Sequence, residues 1–140
     1  MRTLAIIKPD AVANANIGKI VAHLEEAGFK IRAAKLTRFS EAGARTFYEV
    51  HRERPFYDSL VTFMTSGNCM VMVLEHEDAV SKLRDIIGAT DPAEAEEGTL
   101  RKLYARSKER NAIHASDSPE NAAREVAFFF PSSELERLTR

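Results

Sequence analysis

The sequence predicts an α+β sandwich in which helices cover one side of a mostly antiparallel sheet. Three observations carry that expectation. Apolar runs of strand length recur between stretches of helical spacing; capping residues, prolines and glycines bound them; and the order of elements forms two strand–helix–strand units. The chain has 140 residues, 44% of them hydrophobic, which suits a single domain spanning 1–140. A domain of this size buries roughly 68–70% of the surface its unfolded chain exposes.

"TLAIIK" (Thr3 to Lys8) is a short apolar run stopped by Pro9, the pattern of a buried strand. Ile17, Ile20, Val21 and Leu24 recur at helical spacing, and Gly28 supplies the stop. "FKIRAAKLTRF" alternates apolar and polar side chains, as a half-buried strand does. Ser40 followed by Glu41 starts a helix with Phe47, Tyr48 and Val50 on its apolar side. Pro55 opens another, in which Phe56, Leu60 and Phe63 align before Gly67. "CMVMVLE" (Cys69 to Glu75) is the most strand-like run. A helix from about Asp78 to Ile87 follows, with Val80, Leu83 and Ile87 on one side. Gly88 to Gly98 is poor in large apolar residues and is expected to be a loop of the length that usually carries function. "TLRKLYARS" suits a short helix. Ser118 before Pro119 is a strong helix start, and Ala122, Val126 and Phe129 face inward from that helix. After Pro131 a short polar tail is expected.

The 20 basic and 21 acidic side chains leave a net charge of −1, so no global field points to nucleic acid or to an anionic membrane. An anion site must then be a local cluster. "MRTLAIIKPD" is too short an apolar run for a signal peptide or a membrane span. One cysteine, Cys69, excludes an intrachain disulfide and a cysteine zinc site, and a cytoplasmic protein is expected.

Gly18-Lys19 fails as a phosphate loop, because Ala13 stands where the first glycine belongs and Ile20 where a hydroxyl must reach the metal. His23, His51, His76 and His114 share no metal-binding spacing, and the first three suit solvated surface positions. His114 differs. In "NAIHASDS" it follows Asn111 and precedes Ser116, Asp117 and Ser118, at a helix N-terminus that favours negative charge. A neutral imidazole is a competent nucleophile at neutral pH, since its ordinary pKa is about 6.5. Attack on phosphorus needs one ring nitrogen free and the other held, and Glu125 on the following helix is a candidate holder. The octapeptide alone suits a satisfied core histidine better. Lys8, Arg84, Thr90 and Arg101 change the balance if the fold gathers them round His114, where they make a triphosphate cradle.

"IIKPDAV", "HRERPFY", "GATDP", "GTLRK" and "NAIHASDS" together resemble, in order and spacing, the nucleoside diphosphate kinases, from Thr3 to about Phe130. The resemblance implies a ferredoxin-like sandwich with a four-stranded antiparallel sheet. It implies a ping-pong kinase in which His114 takes the γ-phosphoryl of a nucleoside triphosphate and passes it to a diphosphate. Lys8, Arg84, Thr90, Arg101 and Asn111 would hold phosphates and ribose, and Tyr48 would stand beside the transferring group. Ser116 and Glu125 would orient His114, Phe56 and Leu60 would take the base, and Asp117 would reach Mg²⁺ through water. Homo-oligomers built from dimers, tetramers or hexamers, are implied as well, with Pro92 at trimer contacts in the hexamers. Nucleic-acid and membrane partners are not.

The chain departs from the family pattern at Ala115, where most members have glycine, at Lys108 near the base, and at Leu103 in place of a common aspartate. Two rivals remain at this stage. A non-enzymatic nucleotide-binding signalling module leaves His114 beside Ser116 and Glu125 without a reason. A phosphohistidine carrier fed by another protein leaves Phe56 idle.

Overall fold

The computed structural model describes residues 1–138, so Thr139 and Arg140, the end of the expected polar tail, lie outside the described residues. Strand β1 (Arg2–Ile7) is followed by helices α1 (Pro9–Ala13) and α2 (Ile17–Glu26), strand β2 (Lys30–Thr37) and helix α3 (Glu41–Phe47). A 3-10 turn (Glu49–His51), helix α4 (Tyr57–Met64), strand β3 (Cys69–Glu75) and helix α5 (Ala79–Ile87) come next. Helix α6 (Leu100–Tyr104), strand β4 (Ile113–Ala115) and helices α7 (Pro119–Phe129) and α8 (Ser132–Leu138) complete it. The four strands form one sheet in the order β2-β3-β1-β4, each pair antiparallel, as expected of a ferredoxin-like sandwich.

The capping signals act as predicted. Ser40 accepts the Gly43 amide and Ser118 the Asn121 amide, with Pro119 opening the helix. At the end of α2, Gly28 takes φ 95 while the amides of Gly28 and Phe29 return to the carbonyls of Glu25 and Leu24. That paired bonding closes a helix most readily around a glycine.

Helices cover both faces of the sheet, not one as expected. Alternation along the central strands sends Ala5, Ile7, Met72 and Leu74 to a core under α2 and α5. It sends Leu4, Ile6, Val71 and Val73 to a second core with Phe47, Val61, Met64 and Phe130. A central strand that is apolar on both sides must be covered on both. "LAII" and "CMVMVL" carry that message, which a period-2 reading of β2 alone obscures.

Three local expectations are corrected. Val50 does not join the inner side of α3, because the chain leaves the helix at Tyr48 and the 3-10 turn carries Val50 out to 71% exposure. The segment after Pro131 is helical rather than tail-like, with Leu135 partly buried against the second core. Pro9 ends β1 but also opens α1, since its fixed φ suits the first helical position.

Candidate active site

Strand β4 lies at the sheet edge beside β1, with Ile6 opposite His114. Ile113 and Ala115 turn into the first core, so alternation sends His114 to the other face, against Phe47 and Tyr48 at ring distances of 5.5 and 6.2 Å. Before it, the Ile113 amide bonds back to the Asn111 carbonyl at 2.8 Å, with Ala112 between them at φ 70. This is a γ-turn of the strained hand. Ala115 has no such requirement: among the described residues only Ala15 and Ala112 are non-glycines at positive φ. Alanine in place of glycine after the histidine therefore carries no backbone strain.

Helix α7 supplies the partner. Glu125, one turn from the helix end and 5% exposed, receives His114 Nε2 on Oε1 at 2.7 Å and the Ser116 hydroxyl on the same oxygen at 2.8 Å. Burial alone would raise its pKa, but the His114 and Ser116 hydrogen bonds and the Arg124 charge outweigh that and hold it below the usual range. An ionised carboxylate only accepts, so Nε2 carries the proton and Nδ1 keeps the lone pair.

A cleft of about 530 Å³ opens over this pair. Of the residues singled out from sequence, Lys8, Tyr48, Phe56, Leu60, Arg84, Thr90, Asn111, His114, Asp117 and Glu125 line it, with Ala115 and Lys108. Ser116 lies beneath the lining, fully buried. Arg101 does not line the cleft. Its Nη1 donates to the Gly88 carbonyl and its Nη2 to the Ile113 carbonyl, tying the start of the long loop to the nucleophile strand. Gly88 itself (φ 86) sits against Thr99, whose Oγ1 would be 2.6 Å from an added Cβ. The loop is thus anchored at its first residue.

Among the described residues Lys8, Arg84 and Arg101 form no ion pair within salt-bridge distance. Burial, and then the Arg101 charge, lower Lys8 to about 8, which Asp10 and Glu109 only partly offset. Burial and the Arg84 charge lower Arg101 to about 10. Mutually repelling buried cations beside a cleft are the electrostatic mark of a site awaiting an external anion. Tyr48 adds a buried hydroxyl without a hydrogen-bond partner, its pKa raised by burial and then by Glu125. The Asn111 side-chain oxygen is likewise buried and unpaired, while its amide donates to the Lys108 carbonyl.

His51, expected at a solvated surface position, is instead a cleft residue. The 3-10 turn folds its ring onto Tyr48 at 6.4 Å and 25°, with Phe56 5.4 Å away on the other side. Burial and then Arg54 lower its pKa. Nothing in "HRERP" signals this, because the stacking depends on the turn. Phe47, Glu109, Asn121 and Arg124 also went unnoticed. Glu109 accepts the Ser59 hydroxyl at 2.6 Å and so joins the wall before β4 to α4, and Asn121 holds Asp117 Oδ1 at 2.6 Å.

Fold and site define the class: an α+β sandwich whose edge strand presents a carboxylate-held histidine to a cationic, nucleotide-sized cleft, suited to phosphoryl chemistry. A sequence model of the family described as nucleoside diphosphate kinase matches residues 1–135. A relative of that name from Chlorobium chlorochromatii is 57% identical over 136 residues, 97% of each chain. The Aquifex aeolicus nucleoside diphosphate kinase superposes with a TM-score of 0.93 at 48% identity, covering 95% of this chain and 96% of that one. A Halobacterium salinarum nucleoside diphosphate kinase, solved in complex with CDP, gives a TM-score of 0.92 at 40% identity over 96% of this chain and 90% of that one. The chain belongs to the nucleoside diphosphate kinase family. It is an enzyme, a phosphotransferase, and the non-enzymatic module is set aside. Enzymes of this family act on nucleotides and need a divalent cation. Among the described residues no helix is long and apolar enough to cross a membrane.

Proposed function

We propose that the chain passes the γ-phosphoryl group of a nucleoside triphosphate, typically ATP, to a nucleoside diphosphate through a phosphohistidine on His114. The observation that carries this reading is the His114–Glu125 contact of 2.7 Å, which engages Nε2 and leaves Nδ1 as the ring nitrogen for attack in the cleft. The Nδ1 lone pair forms the N–P bond, the bridging P–O bond breaks, and its electron pair stays on the departing diphosphate. The Nε2 proton remains on the ring, so the phosphorylated imidazole carries positive charge, which Glu125 balances. The acceptor diphosphate reverses these steps in the same cleft. One phosphoanhydride is broken and an equivalent one formed, so the intermediate must stay reactive, as an N–P bond does.

Lys8, Arg84, Thr90 and Asn111 hold phosphates and ribose on this reading, with Arg101 adding charge from behind. Tyr48 offers its unpaired hydroxyl to the transferring group. Phe56, 45% exposed at the mouth, stacks on the base with Leu60 beside it. A stacking contact tolerates any base, and the CDP bound by the Halobacterium relative is in keeping with such a site.

Among the described residues no group of three or more His, Cys, Asp or Glu side chains could cage a metal ion. The exposed Asp117 carboxylate fits an ion that arrives with the nucleotide phosphates and keeps its own waters, the habit of Mg²⁺. Bound there, Mg²⁺ would neutralise charge on the phosphates, with Asp117 reaching it through water. We also take the chain, 1–140, to work as one domain in a cytoplasmic homo-oligomer, a tetramer or hexamer of dimers. Leu36, 53% exposed on edge strand β2, and Leu103, 53% exposed on α6, support subunit contacts.

The test uses γ-labelled ATP, Mg²⁺ and no acceptor. Acid-labile, base-stable label on His114 that leaves on addition of GDP is the expected result, and chelating the metal prevents it. ATP binding without label would sink the mechanism.

The two arginines are expected to separate. Arg84→Ala, exposed in the cleft wall, lowers kcat/KM by about 10- to 100-fold and leaves the melting temperature within about 2 °C. Arg101→Ala removes two hydrogen bonds to carbonyls, one of them buried, and costs about 2–4 kcal/mol of stability besides lowering transfer. Calorimetry beside steady-state kinetics decides it; an unchanged melting temperature in Arg101→Ala contradicts the structural half.

A further inference from the structure

The β1–β4 ladder does not stop where the strands do. Ala5 faces Ala115, Ile6 faces His114 and Ile7 faces Ile113, so the next antiparallel pair is Lys8 with Ala112. The Lys8 amide makes its half of that pair, donating to the Ala112 carbonyl at 2.8 Å. The return bond, from the Ala112 amide to the Lys8 carbonyl, is absent, and that carbonyl accepts instead from the Val12 amide at 3.1 Å, the first bond of α1. Pro9 turns the chain into that helix. The Ala112 amide instead donates to Asp10 Oδ2 at 3.1 Å, a buried contact across 102 residues. The Asp10 side chain replaces the strand carbonyl that the helix has taken away.

Resting on the phosphohistidine reading above, we propose that Asp10 is a positioning residue for the transfer: its carboxylate holds the Ala112 amide and so fixes the strained turn that aims Asn111 and His114 into the cleft. Ala112 is fully buried and sits at φ 70 two residues before the nucleophile. A strained turn persists only where its surroundings over-determine it, and here two bonds, one on each side of Ala112, do so. The other Asp10 oxygen, Oδ1, is buried without a partner, so the carboxylate is retained at a cost to the fold. Asp10 also faces Lys8, whose charged neighbours are Arg101 from α6, Asp10 from α1 and Glu109 from the segment before β4. Removing the negative charge leaves Lys8 with Arg101 and only one counter-charge.

The experiment compares Asp10→Ala and Asp10→Asn in the full chain. Asp10→Ala is expected to lower kcat by about 10- to 100-fold, since small misplacements of reacting groups cost that much. ADP affinity falls less than kcat, by up to about 10-fold, because Phe56, Arg84 and Thr90 stand on other elements while Asn111 moves with the turn. Asp10→Asn still offers an oxygen to Ala112 and recovers most of the turnover, but its alkaline limb moves to lower pH as Lys8 loses its proton sooner. A wild-type kcat in Asp10→Ala, or an unmoved alkaline limb in Asp10→Asn, overturns the proposal. Parallel loss of kcat, ADP affinity and melting temperature with no recovery in Asp10→Asn also overturns it, in favour of a purely structural role. If Asp10→Ala does not fold, the pH profile of Asp10→Asn carries the test alone. Wild-type enzyme that takes no label on His114 refutes the phosphohistidine reading itself; labelled wild type with full-rate Asp10→Ala refutes only the role of Asp10.

Discussion

His114→Ala abolishes transfer between nucleoside triphosphate and diphosphate, by at least about 10⁴-fold, and leaves the fold in place. No other cleft side chain stands against Glu125 as it does: the second cleft histidine, His51, stacks on Tyr48 and Phe56 instead. Lys8 and the arginines are cations, Tyr48 is buried with its hydroxyl proton held more tightly than usual, and the cleft holds no cysteine, Cys69 being buried in the second core. The structural cost is small because Glu125 Oε1 keeps its bond from Ser116. Stability should change by no more than about 1–2 kcal/mol, measured by denaturant unfolding. Turnover within tenfold of wild type would remove His114 from the mechanism.

Glu125→Gln has the next largest effect, a fall in kcat of about 10²- to 10³-fold with little change in nucleotide affinity. The amide oxygen can still accept from Nε2 and from Ser116, so the ring stays oriented. What disappears is the negative charge opposite the phosphorylated imidazole. Stability follows the sign of the carboxylate's shift. Glu125 titrates lower in the folded chain than in the unfolded one, so its contribution is complete above the unfolded carboxylate range, about 4.3. It is lost as pH falls through the folded value. The stability gap between wild type and Glu125→Gln should therefore close on acidification, and unfolding curves on either side of that range measure it. A gap that widened in acid, or a kcat within threefold of wild type, would count against the role assigned to Glu125.

Much of this was legible without coordinates. The run "CMVMVLE" coincides with β3 to the residue, and Ser40, Gly28 and Ser118-Pro119 mark helix ends where the structure places them. Those signals are local, since a cap or an apolar period acts within a turn or two of itself. His114 and Glu125 could be paired on paper because only 11 residues separate them and a helix starts in between. Arg101 shows the limit. Its type and spacing suggest a phosphate ligand; that its guanidinium also bonds two backbone carbonyls could not be read, because no pattern of side chains encodes which carbonyls a fold leaves unpaired.

The sequence by itself determined most of the elements and their order, and it offered His114 and the chemical kinds of its neighbours as candidates, because these depend on residue type and short-range spacing. The tertiary structure alone decided that His51 folds onto Tyr48, that Arg101 bonds the Gly88 and Ile113 carbonyls, and that Asp10 completes a ladder 102 residues away. The first depends on how a turn packs, and the other two on which buried polar group is left unpaired after the chain has packed. That account closes only across the whole fold.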